Sequence, residues 1–81
     1  MRSRSTPHFE RSYRKAPLNI QRAFDKQLVL LLQNIRHPSL HAKKYDEGAN
    51  KWQARVTKGW RFYFTIEGNV YILQDIIPHP K

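Results

Sequence analysis

Residues 52 to 77, WQARVTKGWRFYFTIEGNVYILQDII, place apolar side chains at every second position in two successive runs. Trp52, Ala54 and Val56 form the first run, and Trp60, Phe62, Phe64 and Ile66 the second. Period two is the signature of a strand buried on one face. With YILQDI the stretch reads as three consecutive antiparallel strands, and the rest of the chain must pack on them. A three-residue loop, Thr57-Lys58-Gly59 with Gly59 left-handed, sets Val56 opposite Trp60, Ala54 opposite Phe62 and Trp52 opposite Phe64. One apolar face results. A two-residue Lys58-Gly59 turn would instead bring Arg55 across from Phe62 and expose several side chains worth about 1.5–3 kcal/mol each. The three-residue loop is therefore expected. On the opposite face this register makes Arg55 and Arg61 cross-strand neighbours, flanked by Gln53 and Tyr63. Facing like charges repel, and call for a carboxylate between them or an anionic ligand. Asp75 would face Arg61 if the second loop were Glu67-Gly68-Asn69, and would not if it were Gly68-Asn69; the sequence is compatible with both.

A sheet with one apolar face needs a second layer. Thr6 suits a helix N-cap with Pro7 at the first helical position, and Phe9 and Tyr13 give this helix a packing side up to about Lys15. Pro17 opens a second helix. Its stripe runs through Ile20, Ala23, Phe24, Gln27, Leu28, Leu31 and Ile35, and Pro38 stops it. The expected architecture is a single α+β domain over residues 1–81, an N-terminal helical hairpin on an antiparallel sheet of three to four strands. The polar, basic start MRSRST leaves the first edge strand short or missing. A further strand is expected over HAKKYD, from His41 to Asp46, followed by the loop Glu47-Gly48-Ala49-Asn50. Paired with the Trp52 strand, it points Lys43 and Lys44 to opposite faces, so one of them joins Arg55 and Arg61. Pro78 and Pro80 lack backbone donors and cannot extend a central strand, which holds His79 at the sheet's end.

Charge narrows the partners. Fifteen Lys and Arg against six Asp and Glu give a net charge of +9, and such surfaces meet nucleic acid, anionic membrane or acidic protein. The basic residues lie on strands and turns rather than along one helix face, which argues against membrane. Leu28 to Leu32 is too short an apolar run to span a bilayer, and MRSRST has no signal-peptide core. A soluble, cytoplasmic protein is expected. Without cysteine there are no disulfides or thiolate metal sites. His37 and His41 could suggest a metal, but Pro38 breaks the helix that would align them, so neither metal nor cofactor is expected. Glycine-rich phosphate loops, nucleophile elbows and spaced carboxylate pairs are absent.

What remains is a set of cations near one sheet face, Lys43 or Lys44, Arg55 and Arg61, with the His79 imidazole at its end and Lys81 beyond. Phosphate needs donors from several directions, and arginine forks match its oxygens. A neighbouring group that titrates near neutrality suits phosphoryl chemistry on RNA. Tyr63, on the same face, is the base-stacking candidate, whereas Trp52 and Trp60 fall with the core.

The order NIRHPSLHAKK, WQARV, GWRFYFTI, YILQDI and a late histidine resembles the RelE/ParE superfamily of bacterial type II toxin-antitoxin toxins, over roughly residues 6 to 79. The resemblance implies two helices packed on a curved antiparallel sheet, and an acidic cognate antitoxin that wraps the toxin. For the RelE-like branch it implies metal-independent cleavage of mRNA in the ribosomal A site, by attack of the ribose 2′-hydroxyl on the adjacent phosphate. Arg61 then stands at the phosphate-stabilising position, Arg55 supports it, and Lys43 or Lys44 grips RNA. His79 stands where YoeB-like members carry an acid or base. The sequence departs from the pattern in MRSRST, where an apolar first strand is usual, and in Pro80, which follows His79 where some nucleases carry a tyrosine. The ParE-like branch implies instead a gyrase inhibitor that acts by binding, and a third reading is an inactive nucleic-acid-binding relative.

Overall fold

The computed structural model describes residues 1–46 and 48–79. Glu47 of the expected loop, Pro80, and Lys81 with its expected RNA contact lie outside the described residues. The elements run β1 (Arg2–Ser5), α1 (Pro7–Lys15), α2 (Leu18–Gln33), a 3-10 turn (Pro38–Leu40), β2 (Lys43–Asp46), β3 (Lys51–Thr57), β4 (Trp60–Glu67) and β5 (Val70–Pro78).

The strands make one five-stranded sheet in the order β1-β5-β4-β3-β2. The helical hairpin covers one face, as the apolar pattern requires. The sheet has more strands than the expected three to four, and it is mixed: β1 pairs parallel with β5, Arg2 opposite Val70 and Ser5 opposite Leu73. MRSRST is thus an edge strand built from polar residues. An edge strand needs backbone groups more than apolar side chains, and three of these four residues are exposed.

The helix starts follow the sequence. Thr6 caps α1, its Oγ1 accepting the Phe9 N–H at 3.0 Å. Thr6→Ala should cost about 1 kcal/mol and lower the melting temperature by roughly 4–8 °C, as read by thermal circular dichroism. Pro17 caps α2 with its carbonyl, which accepts from Ile20 and Gln21 at 2.9 and 3.0 Å. That helix ends at Gln33, two residues before Ile35. Asn34 turns extended, with φ −165°, and its Oδ1 accepts the Arg36 N–H at 3.0 Å, a local turn that competes with a further helical turn.

The core is a chain of rings between the layers. Phe9 meets Phe24 at 5.2 Å between centroids, Phe24 meets Phe62 edge-on at 5.0 Å, and Phe62 meets Phe64 at 5.7 Å. Phe62, Phe64, Leu31 and Leu40 are fully buried.

The expected pairs Trp52–Phe64, Ala54–Phe62 and Arg55–Arg61 occur by another route, whereas Trp60 lies opposite Thr57 and not the expected Val56. The turn is the two-residue Lys58-Gly59, Gly59 is not left-handed, and a register shift between Arg55 and Thr57 corrects the faces. A bulge supplies the odd residue that the longer loop would have supplied. The next hairpin turns on Gly68-Asn69, with Gly68 at φ 59°. Its register shifts at Tyr63/Phe64, so Asp75 lies opposite Tyr63 and Ile77 opposite Arg61.

Candidate functional site

The face of the sheet away from the helices carries the polar alternates of β3 and β4. On it a groove of about 430 Å³ is lined by His41, Lys43, Gln53, Arg55, Arg61 and His79, together with Ala42. Among the described residues the lining holds two guanidiniums, one ammonium and two imidazoles, and no carboxylate. Four separate segments contribute: the end of the 3-10 turn, β2, the β3–β4 hairpin, and the residue after β5.

Each side chain is placed by a local device. Lys43 pairs with Gln53 across β2 and β3, whereas Lys44 pairs with Trp52. Side-chain alternation therefore sends Lys43 to the basic face. The expectation that left Lys44 as a possible RNA contact on this face is corrected: its Nζ sits 5.6 Å from the Trp52 ring centroid, a cation–π contact on the other face.

Arg55 and Arg61 stand directly opposite one another. Among the described residues neither Asp75, which lies opposite Tyr63, nor another carboxylate pairs with either guanidinium. Instead Arg61 Nη1 donates to the carbonyls of Thr57, Lys58 and Trp60 at 2.8, 3.1 and 3.0 Å. The partial negative charge of these carbonyls stabilises the guanidinium beside its like-charged neighbour. Among the described residues no hydrogen bond engages the Arg61 Nε or Nη2 donors. Arg55 Nε is buried without a hydrogen-bond partner among the described residues, a costly state for a charged donor beside a cationic groove.

Behind the groove, Gln27 of α2 is the one polar side chain among the described residues that is buried with the core. Its Nε2 donates to Arg55 O at 2.8 Å and Ser39 O at 3.1 Å. It ties the helix layer to the bulge beneath Arg55 and to the turn that leads into His41. Sequence reasoning placed Gln27 in an apolar stripe and missed this role.

His79 is fastened by its backbone N–H, which donates to Gly59 O at 2.8 Å. The end of β5 is thereby fixed against the β3–β4 turn, next to Arg61. His41 enters the groove from the opposite side. It sits left-handed at φ 46° as the C-cap of the 3-10 turn, a backbone state uncommon outside glycine, asparagine and aspartate, in which histidine is enriched. In the sequence His41 stands out only as a possible metal ligand; its place in the groove depends on the turn, which periodicity does not report.

Tyr63 lies on the same face, with its ring 5.3 Å from Tyr45 and nearly perpendicular to it. Burial pushes the Tyr63 phenol above its ordinary value, Tyr45 and Asp75 add to the rise, and Arg61 opposes it. Burial also raises Tyr71, and burial together with the hydrogen bond to Asp25 raises Tyr13. In each case the fold favours the neutral phenol. The unfolded chain releases these protons first, near pH 10, so this stabilisation is complete below that pH and is lost as pH rises through the higher folded values. Urea midpoints should fall above about pH 10, and Tyr71→Phe should reduce that slope.

The arrangement of two helices on this five-stranded sheet is similar to that of solved structures named as YoeB/ParE, RelE and YoeB. Among solved structures, the chain matches a YoeB/ParE toxin from Agrobacterium tumefaciens with a TM-score of 0.81 at 12% identity, covering 99% of this chain and 100% of that one. It matches the YoeB dimer from Staphylococcus aureus with a TM-score of 0.80 at 12% identity, over 99% and 98% of the two chains. It also matches the archaeal RelE–RelB complex from Pyrococcus horikoshii OT3 with a TM-score of 0.77 at 13% identity, over 95% and 92%. No protein-family model matches the chain, and no curated protein matches it. Among the described residues, no helix is long and apolar enough to cross a membrane.

Proposed function

We propose that this chain is the toxin of a type II toxin-antitoxin pair, acting as a ribosome-dependent, metal-independent endoribonuclease on A-site mRNA. One observation carries the reading: the groove gathers Lys43, Arg55, Arg61, His41 and His79, with no carboxylate among the described residues of its lining. Such a lining fits a phosphodiester and the charge that develops on it.

In this reading the 2′-oxygen attacks the adjacent phosphorus, and the bond from phosphorus to the 5′-oxygen breaks. The products are a 2′,3′-cyclic phosphate and a 5′-hydroxyl. Arg61, through Nε and Nη2, and Arg55 stabilise the phosphorane, while Lys43 holds the flanking backbone. One imidazole takes the 2′-hydroxyl proton and the other delivers a proton to the 5′-oxygen. The sheet order supports this division, since His41 leads into β2 and His79 follows β5, with β3 and β4 between them. The ribosome supplies the alignment of 2′-oxygen, phosphorus and leaving oxygen.

The net charge of +9 suits an acidic antitoxin as the neutralising partner. The fold neighbours include RelE with RelB and, from Staphylococcus aureus, YoeB with YefM. The cytoplasm follows as the compartment where ribosomes and antitoxin are met.

The test adds purified protein to ribosomes programmed with a defined mRNA and maps new 5′ ends by primer extension, with free mRNA as control. Cuts at the A-site codon on ribosomes alone are expected, and His79→Gln should slow them by about 10²–10⁴-fold. Absence of ribosome-dependent cuts, with growth arrest accompanied by DNA damage, would move the assignment to a gyrase inhibitor.

A further inference from the structure

Beside the basic groove, on the same sheet face, lies a second one of about 460 Å³, whose lining includes His8, Tyr45, Lys51, Tyr63, Gln74 and Asp75. Its character is different. Two tyrosines form one wall, and Tyr45 is 49% exposed. Asp75 supplies a carboxylate, which the described residues lining the first groove lack.

The bulge in β5 builds this site. Phe64 pairs with Leu73 and Tyr63 with Asp75, so Gln74 is the extra residue, and both Gln74 and Asp75 reach the groove. Bulges re-aim side chains in this way. Asp75 is held on both sides: Oδ1 accepts the Ile76 N–H at 2.9 Å, and Oδ2 lies 3.2 Å from His8 Nε2. Each oxygen retains a further acceptor position. Gln74 is steadied by donation from Nε2 to Thr65 Oγ1 at 3.2 Å.

Tyr63 and Arg61 are two residues apart on β4, about 7 Å along the strand. A strand of RNA whose phosphate lies in the basic groove would therefore bring a neighbouring base to the tyrosines. We propose that the second groove is a base-reading subsite for that RNA, and that it selects guanine. This rests on the endoribonuclease reading above.

The chemistry separates the four bases. Guanine's Watson–Crick edge shows N1–H and the N2 amine side by side, two donors that match the two oxygens of Asp75. Its O6 acceptor suits the Lys51 ammonium or the His8 ring. Uracil shows one donor between two carbonyls, which a carboxylate repels. Adenine and cytosine each present an amine beside a ring acceptor, so one oxygen of Asp75 goes unmatched. Tyr45 and Tyr63 provide stacking for any base, and Asp75 provides the choice.

Two measurements test this together. Ribosomes carrying A-site codons varied through all four bases at each position are cut by the wild type, Asp75→Asn and Tyr45→Leu. Separately, 5′-GMP and 5′-UMP are titrated while the Tyr45 and Tyr63 ring signals are followed by NMR. The wild type should favour guanine at one codon position by roughly tenfold or more, and GMP should bind tighter than UMP by a similar factor. Asp75→Asn should erase both preferences, whereas Tyr45→Leu should weaken binding of all bases alike. If cutting occurs but Asp75→Asn leaves base preference unchanged, and GMP and UMP bind alike, the subsite is refuted and the nuclease reading stands. If nothing is cut but GMP binds selectively through Asp75, the subsite stands and the cleavage reading falls. No cutting and no selective binding would overturn both.

Discussion

Arg61→Ala is expected to abolish A-site cutting and to loosen the β3–β4 turn at the same time. The first effect follows from losing the Nε and Nη2 donors in the groove, a loss of about 10²–10³ in rate by analogy with removal of an oxyanion donor. The second follows from Nη1, which holds the Thr57, Lys58 and Trp60 carbonyls. Releasing them should cost about 1–3 kcal/mol, seen as a fall in melting temperature of roughly 4–8 °C for each kcal/mol. The two are separated by assaying well below the new melting temperature. A variant that melts early but cuts like the wild type would reduce Arg61 to a clasp on the turn. Arg61→Lys sharpens the comparison, because an ammonium keeps the charge but cannot grip the turn and a phosphate together.

Phe62→Ala should produce the largest loss of stability. Phe62 is fully buried, with Phe24 edge-on at 5.0 Å and Phe64 stacked at 5.7 Å. Its removal opens a cavity between helix layer and sheet, at a cost of about 3–5 kcal/mol. A chain of 81 residues has only about 4–12 kcal/mol in total. The variant should therefore be largely unfolded or melt far below the wild type in urea and thermal titrations. Val29→Ala, at a site 54% exposed on α2, should stay within about 0.5 kcal/mol and serves as the contrast.

Alternation carried the reading of β3 and β4 a long way. It placed Trp52, Ala54, Phe62 and Phe64 on one face and paired Arg55 with Arg61, because a one-residue slip would expose every buried ring. It could not distinguish a three-residue loop from a two-residue turn followed by a bulge, since both restore the same faces. That ambiguity mattered most in β5, where the bulge decides whether Asp75 meets Arg61 or Tyr63. β1 was underestimated because an edge strand is held by backbone pairing, and its polar side chains leave no periodic mark. His41, Gln27 and Tyr45 escaped notice for a related reason: each reaches its place through a turn, a bulge or a long-range hydrogen bond. Lys43 and Lys44 were separated by parity alone, once the partner of β2 was known.

The order of the sheet also governs when the molecule becomes whole during its own synthesis. The hairpins β2–β3, β3–β4 and β4–β5 join neighbours in sequence and can close as they emerge. β1 precedes the other strands in the chain, yet its partner is β5, which follows them all. The basic groove waits equally long, because its end wall is His79, anchored to Gly59. A nascent chain still short of residue 79 therefore has an open sheet edge and a groove without one of its two imidazoles. Both the open edge and the groove therefore close only when β5 takes its place beside β4 and β1.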